Sequence, residues 1–362
     1  MRCARPRLSQ PPTAVGLVRP AVLVVLLLNS FGIAGAAPQQ LTETGSTLML
    51  PLMQLWAKAY GEVSPETHVT TAGTDSGAGI TAAIDGTAQI GASDAYMSDV
   101  EVARHPGILN IPLAISAQTV NYNLPGLSAT LRLSGPVLAG IYGGSIRDWS
   151  DAAIKALNPG TTLPHHAIVP IRRSDASGDT FIFTQFLSFS TPDWERGPGF
   201  GTSITWPDVP GVLTAAGNPG MVQTLSQTPY GVAYIGGSFA DEIAKAQLGT
   251  AELQNDDGQF VLPTPKTVAA AAAALTPRTP ADERLTLVLA PGKDSYPLIN
   301  YEYAIVRAAQ PDEGTADALR KFLLWTVTPG QGADPSYLGA VHFIALPTAI
   351  QALSTYQIAK IH

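Results

Sequence analysis

Arg172-Arg173-Ser174-Asp175-Ala176-Ser177-Gly178-Asp179-Thr180 gathers two arginines, two serines, a glycine and two aspartates directly ahead of the apolar run Phe181-Ile182-Phe183-Thr184-Gln185-Phe186-Leu187. The pattern reads as a strand running into a helix N-terminus. Such a junction presents unpaired backbone N–H groups, the positive end of a helix dipole and a guanidinium whose fork matches an oxyanion. The chemistry on offer is the binding of a small anion.

The same unit occurs twice more. Leu41-Thr42-Glu43-Thr44-Gly45-Ser46-Thr47-Leu48 leads into a stretch with apolar residues at helical spacing over 50–60, with Pro51 suited to a first turn. His68-Val69-Thr70-Thr71-Ala72 alternates as a strand and gives way to Gly73-Thr74-Asp75-Ser76-Gly77-Ala78-Gly79-Ile80, the start of a second helix. Ile90-Gly91-Ala92-Ser93-Asp94 then reads as a short buried strand ending in a polar turn. Alternating strands and helices predict an α/β protein with mostly parallel sheets and a ligand at the strand C-termini. The intervals are unequal, so there is no true repeat.

Further along, the apolar run 111–122 is read as carrying the chain into a second domain. Helices are predicted over 137–142, 267–275, 314–326 and 348–361, and strands over 168–171, 232–235 and 296–306. The Pro- and Gly-dense stretch 191–230 reads as a long irregular excursion. Trp149 reads as packing at a helix end, Arg172 as structural, and the pair His165-His166 as solvated loop residues rather than metal ligands, with no carboxylate or cysteine at ligand spacing.

Composition agrees with a compact globular protein: of 362 residues, 45% are hydrophobic and 14% charged. The N-terminus is different. Arg2, Arg5, Arg7 and Arg19 precede the apolar run 21–28, and Ala34-Gly35-Ala36 follows, the order of an export signal cleaved after Ala36. Cys3 falls inside that signal, so no thiol is expected in the mature chain. Removing four of the 21 basic residues leaves 17 against 28 acidic ones, a net charge of −11. That balance argues against nucleic acid or an anionic membrane as partner, and it requires local donors to attract any anion.

Enzyme readings find weak support. Asp75-Ser76-Gly77 matches three residues of a trypsin-like nucleophile loop, but no partner histidine segment or disulfide accompanies it, and no Gly-Lys-Ser/Thr follows the glycines. A phosphatase acting on phosphate esters is the remaining alternative.

Taken together, Glu43-Thr44-Gly45-Ser46-Thr47-Leu48, Gly77-Ala78-Gly79-Ile80, Gly91-Ala92-Ser93-Asp94-Ala95-Tyr96 and the Arg173–Phe181 stretch resemble the periplasmic phosphate-binding proteins of phosphate ABC transporters, with closest likeness to the actinobacterial form. The likeness continues through Asn121-Tyr122-Asn123-Leu124-Pro125-Gly126 and Asn300-Tyr301-Glu302-Tyr303-Ala304-Ile305-Val306, and covers most of 41–350. It implies a two-lobed type II clamshell with mixed, mostly parallel sheets flanked by helices and with hinge strands between the lobes. Lobe I would comprise 37–115 and 299–362, and lobe II 116–298.

By motif position, the resemblance implies that Thr47 binds phosphate through its hydroxyl and Leu48 through its amide, with Ser76 as a second-loop donor and Asp94 accepting a proton from the ligand. Arg173 would clamp the anion, Ser177 and Gly178 would donate, and Asp179 would be a second acceptor. Ser46 and Asp175 would support them, Asp175 by holding the arginine. The family further implies a periplasmic monomer that serves membrane permease and ATPase subunits and needs no cofactor or metal. Two positions depart from the family pattern: Asp75 and Ala176 stand where glycine is usual. Asp75 is expected either to cap its helix or to weaken anion binding, and Ala176 to take an ordinary backbone conformation.

Overall fold

Strands in the first part of the chain end in the polar turns. In a computed structural model, which describes residues 38–362, β1 (Gln39–Gly45) runs into α1 (Leu50–Val63), and β2 (Thr67–Gly73) runs into α2 (Ser76–Asp85). β3 (Ile90–Ser93) and the long β4 (Ile108–Tyr122) follow. The expected export signal, with Cys3, lies outside the described residues.

Beyond β4 come α3 (Gly135–Gly143), β5 (Val169–Arg173), α4 (Gly178–Ser190), α5 (Pro192–Arg196), β6 (Leu213–Ala215), α6 (Gly217–Ser226) and β7 (Gly231–Gly236). α7 (Pro265–Leu275), β8 (Ile299–Arg307), α8 (Glu313–Val327) and α9 (Thr348–Ile358) complete the elements used below. The stretch 191–230 is therefore more ordered than its composition suggests. Pro192 opens a helix rather than breaking one, and Gly217, at φ 63°, lets the chain turn from β6 into α6.

The strands form one sheet in the order β2-β1-β3-β8-β4-β7-β5-β6, with a short strand Gly249–Thr250 also pairing with β4. β1 is parallel to β2 and β3, and β5 is parallel to β6 and β7. Between these parallel groups, β8 and β4 run antiparallel to each other and to their outer neighbours. β4 belongs to both halves: residues 108–117 pair with β8, and residues 118–122 pair with β7. The fold is the two-lobed α/β class the sequence predicts.

Packing explains where the loops sit. α1 buries Leu52, Met53, Trp56 and Tyr60, one face at helical spacing. Tyr60 meets Phe322 and Trp325 of α8 edge-on, and Trp56 Nε1 donates to Gly332 O at 2.8 Å. α2 lies so close to the sheet that a Cβ on Gly91 would collide with the Gly79 carbonyl, so the glycine pair sets the depth at which the second loop rests. In the second half Tyr142 of α3, Phe183 of α4 and Tyr234 of β7 stack into a core beneath the third loop.

Candidate functional site

The first two loops converge on Asp94. Ser46 Oγ accepts from the amides of Leu48 and Met49, both at 3.1 Å, and donates to Asp94 Oδ1. Ser76 Oγ donates to Asp94 Oδ2 at 3.3 Å and accepts from the Asp94 amide at 3.2 Å. Asp75 is the N-cap of α2, its Oδ1 accepting from Ala78 N at 2.7 Å, so its carboxylate is occupied by the helix. Ser76, freed from capping, faces Asp94.

The third loop is organised by Arg173 at the end of β5. Its Nε and Nη2 hold both oxygens of Asp175, and Nη1 donates to Asp179 Oδ2 at 2.7 Å. Ser177 caps α4 by accepting from Thr180 N at 3.3 Å. Asp179 also accepts from Gln118 Nε2 at 3.0 Å and Asn218 Nδ2 at 2.7 Å. Ala176 keeps φ outside the left-handed region, so the usual glycine is not needed here.

The two sets meet at Gly178. A Cβ there would stand 2.5 Å from both Asp94 Oδ2 and Ser76 Oγ, so any other residue would hold the third loop off the first two. Gly77 N donates to Ala176 O at 2.9 Å, and Ser238 Oγ to Leu48 O at 2.7 Å. Thr47 Oγ1 accepts from the amide and the Nδ2 of Asn218, at 3.1 and 3.2 Å.

The sequence-selected residues Ser46, Thr47, Ser76, Asp94, Arg173, Ser177, Gly178 and Asp179 thus lie in one buried cluster, with half-buried Asp175 at its edge. Leu48 adjoins it, but its amide is taken by Ser46. Arg172, Trp149 and the histidine pair lie apart from these bonds. Arg172 stacks over Trp206, Trp149 is fully buried, His165 pairs with Asp148, and His166 stacks on Tyr230.

Asn218, Gln118 and Glu302 were not singled out in the sequence, yet they touch the cluster. Asn218 stands in the Gly217-Asn218-Pro219-Gly220 segment that opens α6, a glycine-rich helix start like those of the other loops. Gln118 and Glu302 are buried polar residues on strands that carry others, such as Ser116 and Asn300, so nothing in the sequence sets them apart.

Burial controls the charges. Burial, and next the charge of Asp179, push the Asp94 carboxyl up to about 7. Burial also raises Asp179, against the pull of Arg173. Burial alone would raise Asp175, but its bonds to Arg173 bring it below the ordinary range. For Arg173 burial opposes the charge, and the bonds from Asp175 and the charge of Asp179 outweigh it, so it remains a cation. One fixed cation, several hydroxyls, a helix N-terminus and two carboxyl acceptors suit a small tetrahedral oxyanion that still carries a proton.

The chain resembles known proteins along most of its length. The PBP superfamily domain matches residues 32–329. The phosphate-binding protein PstS of Methanocaldococcus jannaschii is 31% identical, over 91% of this chain and 93% of its own length. That of Pasteurella multocida is 32% identical, over 88% and 90%, and PstS 3 of Mycobacterium leprae 28%, over 87% and 85%. Among solved structures, the periplasmic phosphate-binding protein PfluDING, bound with phosphate, superposes with a TM-score of 0.69 at 22% identity, covering 87% of this chain and 92% of its own. A phosphate ABC transporter substrate-binding protein from Clostridium perfringens gives 0.61 at 17% identity, covering 85% and 100%.

Proposed function

Because the chain belongs to the PBP superfamily and, within it, to the PstS phosphate-binding proteins, we propose that it is an extracytoplasmic receptor that captures inorganic phosphate by hinge closure and delivers it to an ABC permease. The observation that carries the reading is the meeting of two loop sets at Gly178, with Arg173 and Asp179 on one side and Ser46, Ser76 and Asp94 on the other.

Phosphate takes over hydrogen bonds that these groups now make among themselves. Arg173 supplies the charge and Asp175 fixes its plane. Thr47, Ser76, Ser177 and the amides of Leu48 and Gly178 donate, and Asp94 and Asp179 accept the ligand's protons. The lobes are 37–115 with 299–362, and 116–298, and the crossings are β4 and the start of β8, where β4 changes partner. The protein is exported by the signal over 1–36, acts as a monomer in the periplasm and meets permease and ATPase subunits there. No described helix is long and apolar enough to cross a membrane. A binder is favoured over a phosphatase because the relatives are phosphate-binding proteins and because the serine hydroxyls surround a carboxylate as donors.

Calorimetry with phosphate, sulfate and a phosphate ester tests this. Phosphate is expected to bind at one site, sulfate at least about tenfold more weakly, and the ester not at all, since an unmatched buried acceptor costs about 1–3 kcal/mol. Equal binding of all three, or ester hydrolysis lost in Ser76→Ala, would overturn the reading.

A further inference from the structure

Glu302 lies on β8 with no exposed surface. Its Oε1 accepts from Ser116 Oγ of β4 at 2.5 Å and from Asn300 Nδ2 at 2.9 Å. Its Oε2 is equally buried and meets no hydroxyl, amide or cation among the described residues. What Glu302 does meet is Asp94. β8 and β3 are antiparallel with Tyr303 opposite Ser93, and Asn300 Nδ2 spans the two residues, 3.4 Å from the Asp94 backbone oxygen and 2.9 Å from Glu302 Oε1, so the Glu302 and Asp94 carboxyl groups are buried neighbours.

Two ionised carboxylates buried as neighbours repel, and neither can donate to the other or to the unpartnered Glu302 Oε2. A proton must lie between them, and the surroundings decide which group carries it. Asp94 already receives the Ser46 and Ser76 hydroxyls and lies within the field of Arg173. Glu302 faces Ser116 from β4, Asn300 on its own strand and Asp94 from the end of β3, with no cation among them. A charge is therefore cheaper on Asp94.

We infer that Glu302 is a neutral carboxylic acid whose O–H donates to Asp94, and that this bond positions Asp94 as the acceptor with which the site selects its ligand. Burial, and then the charge of Asp94, act in the same direction by lifting Glu302 well above the ordinary carboxylate range. The selective part of this role rests on the phosphate reading, whereas the proton on Glu302 does not. Once Glu302 ionises at alkaline pH, a second negative charge stands beside Asp94 and the bound anion, and affinity falls.

The test compares Glu302→Gln, which keeps a donor toward Asp94 without a proton to lose, with Glu302→Leu, which keeps neither. Infrared spectroscopy of the wild-type protein at neutral pH is expected to show a buried protonated-carboxyl stretch that Glu302→Gln removes. Calorimetry from about pH 6 to about pH 9 is expected to place Glu302→Gln within about threefold of wild type for phosphate and sulfate at neutral pH, without the alkaline fall. Glu302→Leu should lose about tenfold or more in phosphate affinity while still unfolding cooperatively, because it leaves buried partners unpaired. Buried Glu43 contributes a band of its own, so the decisive reading is the wild-type-minus-variant difference spectrum: the loss of no protonated-carboxyl band in Glu302→Gln overturns the inference. So does a tenfold or greater gain in affinity for either anion in that variant at neutral pH, since that is the effect of removing a negative charge. If Glu302→Leu does not fold, the glutamine variant decides. If wild type binds no phosphate the functional reading fails, and the infrared stretch still decides the state of Glu302.

Discussion

In the proposed site Asp94 accepts hydrogen bonds and can give none while ionised, which would make it a discriminator between oxyanions of similar shape. Phosphate near neutral pH carries one or two protons and can donate to it, whereas sulfate carries none and meets it with lone pairs alone. With a charged acceptor buried at 3% exposure, the mismatch costs more than the roughly 1–3 kcal/mol of a neutral pair, so a tenfold preference or better is within reach of this one side chain. Asp94→Asn places an N–H in nearly the same volume. Sulfate affinity is expected to rise markedly and phosphate affinity to change less, as read by competition calorimetry. An unchanged phosphate-to-sulfate ratio would remove Asp94 from the selecting role. Asp94 and Arg173 were legible in the sequence because they stand where strands give way to Gly- and Ser-rich turns. Asn218, Gln118 and Glu302 were not, since their roles depend on which strands and loops face one another, and that pairing is non-local: Glu302 reaches Ser116 across 186 positions.

The units of strand, polar loop and helix were legible from alternation and helical spacing, and the structure keeps them: β1–α1, β2–α2 and β5–α4. What hid α5, β6 and α6 was the Pro and Gly content of 191–230, where the same residues that punctuate loops also start helices. The composition of β1 hides a different feature. Glu43 sits at 1% exposure on the face of the strand that also buries Leu41, and burial lifts its carboxyl to about 8, only partly offset by the Ala72 backbone. The unfolded chain holds the same carboxyl at 4.5. Below the unfolded value both states are protonated and Glu43 adds no pH dependence. As pH rises above it the unfolded state gives up its proton first, so stability falls by about 1.4 kcal/mol per pH unit until the folded value is reached. Glu43→Gln removes that dependence. Urea unfolding of both proteins should show the glutamine variant gaining several kcal/mol on wild type between about pH 5 and about pH 8. A difference that stays constant over that range would mean that Glu43 is ionised in the folded strand.

At the scale of the whole molecule, the bonds that join the two loop sets are few and lie on one side of the crossing strands. Asn218 reaches Thr47 by two bonds, Gly77 reaches Ala176, Ser238 reaches Leu48, and Tyr96 meets Phe181 edge-on with ring centroids 5.4 Å apart. On the other side, β4 runs unbroken from one half of the sheet to the other, changing partner between Ala117 and Gln118 beside the start of β8. Under the proposed closure, a rotation about those strands would separate the loops. Each joining bond contributes a net of about 0.5–1.5 kcal/mol, and ordering the loops on closure offsets part of that sum, so a bridging anion adds to the preference for the closed form. Small-angle scattering should therefore give a smaller radius of gyration with phosphate than after exhaustive removal of the ligand. Asn218→Ala deletes the side-chain bonds to Thr47 and Asp179 while leaving Arg173 and Asp94 in place. Its phosphate-free radius should match or exceed that of wild type, its phosphate-bound radius should be nearly the same, and its affinity should fall several-fold, because a smaller share of the protein populates the closed form. A radius that does not respond to phosphate in verified ligand-free protein would mean that the loops meet without a hinge, and the closure mechanism would fall.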